Sequence, residues 1–261
     1  MQYSTFAAID IGSYDVILEI FEISKKQGIR SVDKICHRME LGKDTYTLGK
    51  IRPEMEEELC RVLADFVRIM EGYRVDDYRA TASSAISEAS NSLYVLGKIH
   101  QLTGLSVTVL SNSEQRFLSY KALAAMEDNF NKIIEKGTAI LDLDGGSFQI
   151  SLFDKDALVT TQNIRMGSLR IRERLAGIQS ETEHYEEMVE ELIWNEVSSF
   201  KKMYLKDRKI ENIMLIGDVF TDSVYQNIEE KTTKIISREN FNTWYEKIIR
   251  QSPMELSLIH I

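Results

Sequence analysis

The sequence predicts an α/β protein of two similar domains that face each other across a cleft, and three observations predict it. "TFAAIDIGSYDVILEIFEIS" opens the chain as a strand to Asp10, a tight turn at Gly12-Ser13 and a second strand with Val16, Leu18 and Ile20 alternating. "TAILDLDGGSFQISLFD" repeats strand, turn and strand around Asp142. Each half then runs three strands, helix, strand, helix, so the Asp-turn-Ser tip recurs at the same place in a repeated unit. The boundary is expected between Asp128 and Gly137, giving a first domain over 1–128 and a second over 129–261.

Each element follows from local pattern. "GIRSVDKICHRM" continues the first hairpin as a third, less regular strand carrying Ile29, Val32 and Ile35. "RPEMEEELCRVLADFVRIMEGY" sets Met55, Leu59, Val62, Leu63, Phe66 and Met70 at helical spacing, with Pro53 at the start and Gly72 at the stop. "DDYRATASS" reads as a strand into a polar loop, "SEASNSLYVLGKIHQLTG" as a helix closing at Gly104, and "SVTVLS" as a strand. "EQRFLSYKALAAMEDNF" is a helix with Phe117, Tyr120, Leu123 and Ala124 on one face. In the second half "ALVTTQNIRMGS" is a strand, and "TEHYEEMVEELIWNEVSSFKKMY" a helix preceded by a Ser180-x-x-Glu183 capping box. "NIMLIG" is the next strand, followed by helices in "VFTDSVYQNIEE" and "RENFNTWYEKIIRQ".

Composition narrows the function. The 261 residues are 43% hydrophobic, enough to fill real cores. Acidic residues outnumber basic ones 41 to 32, for a net charge of −9 and no basic block, which excludes a broad nucleic-acid-binding face. Cys36 and Cys60 have neither disulfide-framework nor zinc spacing and read as inert thiols in a reducing compartment. No apolar run suits a membrane span, and the N-terminus carries no charged-then-apolar signal pattern, so a cytoplasmic location is expected.

The tips carry the chemistry. Backbone N–H groups of a Gly-Ser turn at a hairpin end are expected to point outward, and glycine lets a phosphate approach them. A carboxylate beside such a nest repels phosphate unless a hard cation lies between them. Asp10 and Asp142 at the two tips therefore argue for Mg²⁺, held by one or two carboxylates with substrate oxygens and water. Ser111-x-x-Glu114 is a capping box, and a glutamate in a helix's first turn is favoured by the helix dipole without any catalysis.

Five segments together resemble the exopolyphosphatase and guanosine-pentaphosphate phosphatase (Ppx/GppA) family. They are "AAIDIGS", "RATASSAISEASN", "VLSNSEQRFLSYKAL", "LDLDGGSFQISLF" and "RMGSLRIRERL", in the family's order from about Ala7 to Gly217. The resemblance implies an actin-like, ribonuclease H-like fold: duplicated domains with mixed sheets flanked by helices and a cleft between them. It implies that Asp10 and Asp142 hold metal while Gly12, Ser13, Gly145, Gly146 and Ser147 hold phosphate. Glu114 takes the role of orienting or deprotonating the attacking water. Gly167, Ser168 and Arg170 fall in a further polar loop of the cleft. The implied reaction releases terminal phosphate from inorganic polyphosphate or from a guanosine penta- or tetraphosphate.

The chain departs from that pattern in the cleft. Tyr14 replaces an asparagine, Ser87 an arginine, and Gln115 the second glutamate of a pair. Asp144 stands at the first glycine of a Gly-Gly-Gly run, and Gln149 replaces a glutamate, offering a neutral oxygen that is a weaker magnesium ligand and no base. Of a Gly-rich loop in the second domain, only Gly217 remains within "IGDVFTDS". The alternative reading is therefore a catalytically impaired binding or regulatory protein for polyphosphate or a guanosine alarmone. An actin-like ATPase or sugar kinase is a third, resting on fold analogy alone. Family members usually continue past "ELSLIHI", so the chain is expected to be either a shortened member or a fragment, with a second domain truncated at its C-terminus whose missing edge element costs stability or invites a homodimer.

Overall fold

Alternation of apolar residues builds the first sheet. β1 (Ser4–Ile11) turns Ala7, Ile9 and Ile11 inward, and β2 (Asp15–Ser24), paired antiparallel to it, turns in Val16, Leu18 and Ile20. The computed structural model describes residues 3–26, 28–127, 129–179, 184–217 and 237–249. β3 (Gly28–Arg38) adds an antiparallel edge, and β4 (Asp77–Ala82) and β5 (Val107–Val109) add parallel strands on the other side of β1, for the order β3-β2-β1-β4-β5. Four helices accompany this sheet: α1 (Leu41–Leu48), α2 (Pro53–Gly72), the single turn α3 (Ser84–Ser87) and α4 (Ser92–Thr103). Leu59, Val62, Leu63, Phe66 and Met70 of α2 and Val95 and Ile99 of α4 close one continuous core with the strand residues.

The second sheet repeats the plan. β6 (Thr138–Leu143), β7 (Phe148–Asp154), β8 (Ala157–Ile164) and β9 (Asn212–Ile216) lie in the order β8-β7-β6-β9, antiparallel up to β6 and parallel from β6 to β9. Its core holds Phe130 and Ile134 of α6 (Phe130–Ile134), Ile140 and Phe153, with Tyr120 and Leu123 of α5 (Asn112–Met126) packed on it. Tyr120 meets Phe153 edge-on at 5.2 Å between ring centroids, a favoured aromatic geometry. Further along the chain lie α7 (Ser168–Gln179), α8 (Tyr185–Phe200) running into a π-helical turn, and α9 (Arg238–Ile249).

Contacts divide the chain into two units that interleave along the sequence. The first comprises Met1–Phe117, Gly145–Ser147 and Arg165–Val197; the second comprises Leu118–Asp144, Phe148–Ile164 and Ser198–Ile261. The second turn, Gly145–Ser147, thus belongs to the first unit although both flanking strands belong to the second. α1 and α7 lie where no helix is expected from the sequence, and both belong to the first unit. The helix expected in "VFTDSVYQNIEE" and the Ser180-x-x-Glu183 box fall outside the described residues. Among the described residues no helix is long and apolar enough to cross a membrane.

One side chain ties the loop ahead of α2 to the loop ahead of α4. Asn91 Oδ1 accepts from Ile51 N at 3.0 Å, while its Nδ2 donates to Ile51 O and to Glu56 Oε1, each at 2.8 Å. Ile51 and Glu56 are both buried, so water cannot replace these bonds. Asn91→Ala is expected to cost about 3 kcal/mol by orphaning the Ile51 peptide groups and one Glu56 oxygen. Urea denaturation checks this, and an unchanged midpoint would contradict it.

Candidate active site

The first turn is set by its glycine. Gly12 N donates to Asp15 O at 3.0 Å, and a Cβ on Gly12 would lie 2.9 Å from that same oxygen. That N–H therefore closes the hairpin instead of pointing outward, because the tight turn needs the bond. Ser13 follows, fully buried, and its carbonyl accepts from Gly42 N at the start of α1. Its Oγ lies 2.6 Å from the Tyr46 hydroxyl and 3.3 Å from Ser84 Oγ, and the Tyr46 and Ser84 oxygens are 2.9 Å apart. Three hydroxyls from the turn, α1 and α3 thus satisfy one another.

The second turn packs directly on this cluster, within the first unit. A Cβ on Gly145 would lie 3.1 Å from the Tyr14 ring and 3.3 Å from Ser13 Cβ. One on Gly146 would lie 2.2 Å from the Tyr46 hydroxyl and 2.4 Å from Ser84 Oγ, closer than any real contact. So the two Gly-Ser turns meet through glycine backbone, with Tyr46 and Ser84 filling the space against Gly146. Arg170, near the start of α7, fastens the arrangement. Its backbone N donates to Gly145 O at 3.1 Å and its Nε to Gly146 O at 2.8 Å. Its outer nitrogen bridges both Glu88 oxygens at 2.9 and 3.0 Å, and the guanidinium lies 3.8 Å from the Tyr46 ring centroid.

Tyr14 and Glu40 form a second support. Arg172 donates to the Tyr14 hydroxyl and to Glu40 Oε1, each at 3.0 Å, and Arg38 lies over the Tyr14 ring at 4.5 Å. The hydrogen bond from Arg172 holds the Glu40 carboxyl below the usual carboxylate range and raises Arg172 in turn. A depressed carboxylate stabilises the fold fully above its unfolded pKa, and the gain is lost as pH falls through the folded value. Glu40→Gln is therefore expected to lower the melting temperature at neutral pH, with the gap closing on acidification below the ordinary carboxylate range. A pH series of thermal melts on both proteins checks this, and a gap independent of pH would contradict it.

The remaining candidates divide between the units. In the first, Asp10 is exposed at the end of β1 with Thr81 Oγ1 3.5 Å from its Oδ1, and Ser168 is exposed at the start of α7. Glu114 Oε2 accepts from Ser111 N at 2.9 Å and Ser111 Oγ at 2.8 Å, while Glu114 N reaches Ser111 Oγ at 3.3 Å, so the capping box is formed. These bonds lower its pKa and keep the exposed carboxylate ionised. In the second unit Asp142 accepts from Ser119 Oγ at 3.1 Å. Asp142 stands opposite Gln149, and Gln149 opposite Asn163, in one row across β6, β7 and β8. Gln149 is 5% exposed, and its Oε1 and Asn163 Oδ1 are buried oxygens without a hydrogen-bond partner. Carboxylate and amide oxygens in a row are donors that a hard cation accepts. Asp144 is half-buried in the turn after β6. Among the described residues no three His, Cys, Asp or Glu side chains gather as a metal site.

Tyr46, Ser84, Glu88, Arg172 and Asn163 are the contributors that residue patterns do not disclose. Glu88 lies inside the "RATASSAISEASN" segment, which marks its neighbourhood but not its role. For Tyr46 no sequence signal exists, since its partners Ser13, Ser84 and Arg170 come from three separate elements.

The Ppx/GppA phosphatase family model matches residues 19–259. The chain is similar to the bifunctional 3-dehydroquinate synthase/phosphatase of Fusobacterium nucleatum, 22% identical over 238 residues that make up 86% of this chain and 34% of that protein. It is also similar to exopolyphosphatase 1 of Mycobacterium leprae, 25% identical over 144 residues, 55% of this chain and 41% of that one. The chain thus spans well under half the length of these curated relatives. Among solved structures, an exopolyphosphatase from Cytophaga hutchinsonii matches with a TM-score of 0.77 at 19% identity, covering 97% of this chain and 82% of the other. The Aquifex aeolicus Ppx/GppA family member matches with a TM-score of 0.72 at 21% identity, covering 97% and 81%. The fold is the actin-like one, two mixed sheets flanked by helices.

Proposed function

The chain belongs to the Ppx/GppA phosphatase family, and we propose that it is a phosphoanhydride hydrolase that seats a terminal phosphoryl group at its paired Gly-Ser turns. The meeting of the two turns carries this reading: Ser13, Gly145 and Gly146 come together in one unit, and Arg170 pins the second turn by its carbonyls. The substrate class is inorganic polyphosphate or a guanosine penta- or tetraphosphate, in keeping with the exopolyphosphatases among its relatives. Ser13, Gly145, Gly146 and Ser147 form the seat, with Gly12 closing the first turn behind them through its bond to Asp15 O, and Ser168 offers its hydroxyl and the N-terminal end of α7 to phosphate oxygens.

Glu114 orients the attacking water. Its Oε2 is held by Ser111, which leaves Oε1 to accept from water, and the ionised state favours positioning over strong proton abstraction. Magnesium suits the donor chemistry of each unit taken by itself: in the first, Asp10 is a carboxylate that would hold it, and in the second, Asp142 is another, in one row with Gln149 Oε1, a neutral oxygen still lacking a partner. When bound, the ion would neutralise phosphate charge and polarise the phosphoryl oxygens.

Phosphate release on inorganic polyphosphate and on guanosine pentaphosphate, side by side with and without Mg²⁺, tests the proposal. Magnesium-dependent release from at least one is expected; no release from either at high protein concentration would remove it. A binding protein without turnover is the second reading, favoured by the amide of Gln149 beside Asp142. It requires a rise in melting temperature with ligand that is not consumed.

A further inference from the structure

We infer that Glu88 and Arg170 are positioning residues that aim two backbone N–H groups, those of Gly146 and Ser147, at the terminal phosphoryl group, so that Arg170 serves the anion through the turn and not by its own charge. The inference rests on the phosphohydrolase reading and assigns donors to its seat. Arg170 N donates to Gly145 O at 3.1 Å and Arg170 Nε to Gly146 O at 2.8 Å, so both carbonyls of the turn face one residue. Among the described residues every peptide bond is trans, and in a trans peptide the N–H points opposite to the C=O of the same plane. Gly146 N–H and Ser147 N–H therefore both point to the side away from Arg170. Neither donates within the protein among the described residues. Two successive N–H groups turned one way form an anion nest.

The guanidinium that sets this direction is held by its edge, its end and its face. Nε holds Gly146 O, the outer nitrogen meets the two Glu88 oxygens at 2.9 and 3.0 Å, and the face lies 3.8 Å from the Tyr46 ring centroid. Glu88, Arg170, Tyr46 and the turn all belong to the first unit. The Arg170 and Glu88 side chains are only 20% and 27% exposed, so the pair lies largely out of water, where removing one partner leaves the other poorly solvated. Glu88 acts through Arg170. By charge alone a carboxylate this close to the turn disfavours an anion there, whereas by alignment of the turn it favours one. The two effects carry opposite signs, so a single substitution separates them.

The test titrates tripolyphosphate in Mg²⁺ into the full chain, Glu88→Gln and Arg170→Lys, reading the melting-temperature shift, phosphate release and the backbone amide NMR signals of Gly146 and Ser147. Both amide signals are expected to move when the parent binds. Glu88→Gln removes a negative charge yet is expected to weaken binding by about tenfold, about the worth of one hydrogen bond to a charged group. Arg170→Lys keeps the positive charge but has no Nε to hold Gly146 O, and a similar loss is expected. In both variants the movement of the two amide signals shrinks even at saturation, which a loss of stability alone does not cause. Equal or tighter binding by a folded Glu88→Gln or Arg170→Lys overturns the inference and leaves the hydrolase reading intact. So do Gly146 and Ser147 signals that stay in place when the parent binds, whether or not the variants fold. Binding with the expected amide changes but without release removes the hydrolase reading and upholds the positioning role. Neither binding nor release by the parent overturns both.

Discussion

Replacing Gly146 with alanine is expected to lower phosphate release by about 10²-fold, since an active-site displacement of about 1 Å has that effect. The added Cβ would lie 2.2 Å from the Tyr46 hydroxyl and 2.4 Å from Ser84 Oγ, so the turn must retreat or both side chains must move. Retreat strains the bond from Arg170 Nε to Gly146 O and with it the contact of the guanidinium with Glu88 and Tyr46. Overpacking of this kind costs about 1–3 kcal/mol, so the variant should fold and melt a few degrees lower. Tyr46→Phe in the same chain does not rescue it, because Ser84 Oγ still lies 2.4 Å from the new atom. Steady-state phosphate release and thermal melts on the single and double variants check this. Activity equal to the parent's would show that the close approach of the turns is not what seats the phosphate.

Glu114→Gln is expected to lower kcat by about 10²–10⁴-fold while leaving stability nearly unchanged, the range that loss of a positioned acid–base group gives. The two uses of Glu114 can be separated because they need different things from the side chain. Its cap to Ser111 needs one acceptor oxygen, which glutamine retains. Orienting a nucleophilic water needs the charge, which glutamine lacks. Because the Ser111 bonds lower the carboxyl's pKa, the acidic limb of the parent's rate profile due to this group lies below the ordinary carboxylate range. Glu114→Ala removes both uses and is expected to add a loss of about 1 kcal/mol, as cap deletions do. A glutamine variant with full activity would leave Glu114 as a helix cap only.

The parts of the fold legible in the sequence are those governed by one local rule. Alternation at Val16, Leu18 and Ile20 gives β2, helical spacing from Leu59 to Met70 gives α2, and recurrence of the Asp-turn-Ser tip gives the repeated sheet order. α1 fails that rule. Its preceding residue, Glu40, adopts a left-handed conformation with no side-chain cap, and its inner face buries Asp44 and Thr45 among the apolar residues. Those polar residues are buried because Arg52 donates to Asp44 and Thr45 donates to Ala85 O, partners that only the folded chain supplies. α7 is hidden for a similar reason, with Arg170 and Arg172 turned onto Glu88 and Glu40 from distant segments. The site divides the same way. Ser111-x-x-Glu114 is readable as a cap from four residues, whereas the Ser13, Tyr46 and Ser84 cluster needs three elements brought together.

In the proposed mechanism the paired turns seat a terminal phosphoryl group for hydrolysis. Its most direct test is release of inorganic phosphate from tripolyphosphate in Mg²⁺ by the parent, Gly146→Ala and Glu114→Gln, with ligand-induced melting shifts on the same samples. Release by the parent is expected, with loss in both variants and a ligand-induced shift that survives in Glu114→Gln but is weakened in Gly146→Ala. Undiminished release or an undiminished shift in a folded Gly146→Ala would contradict it.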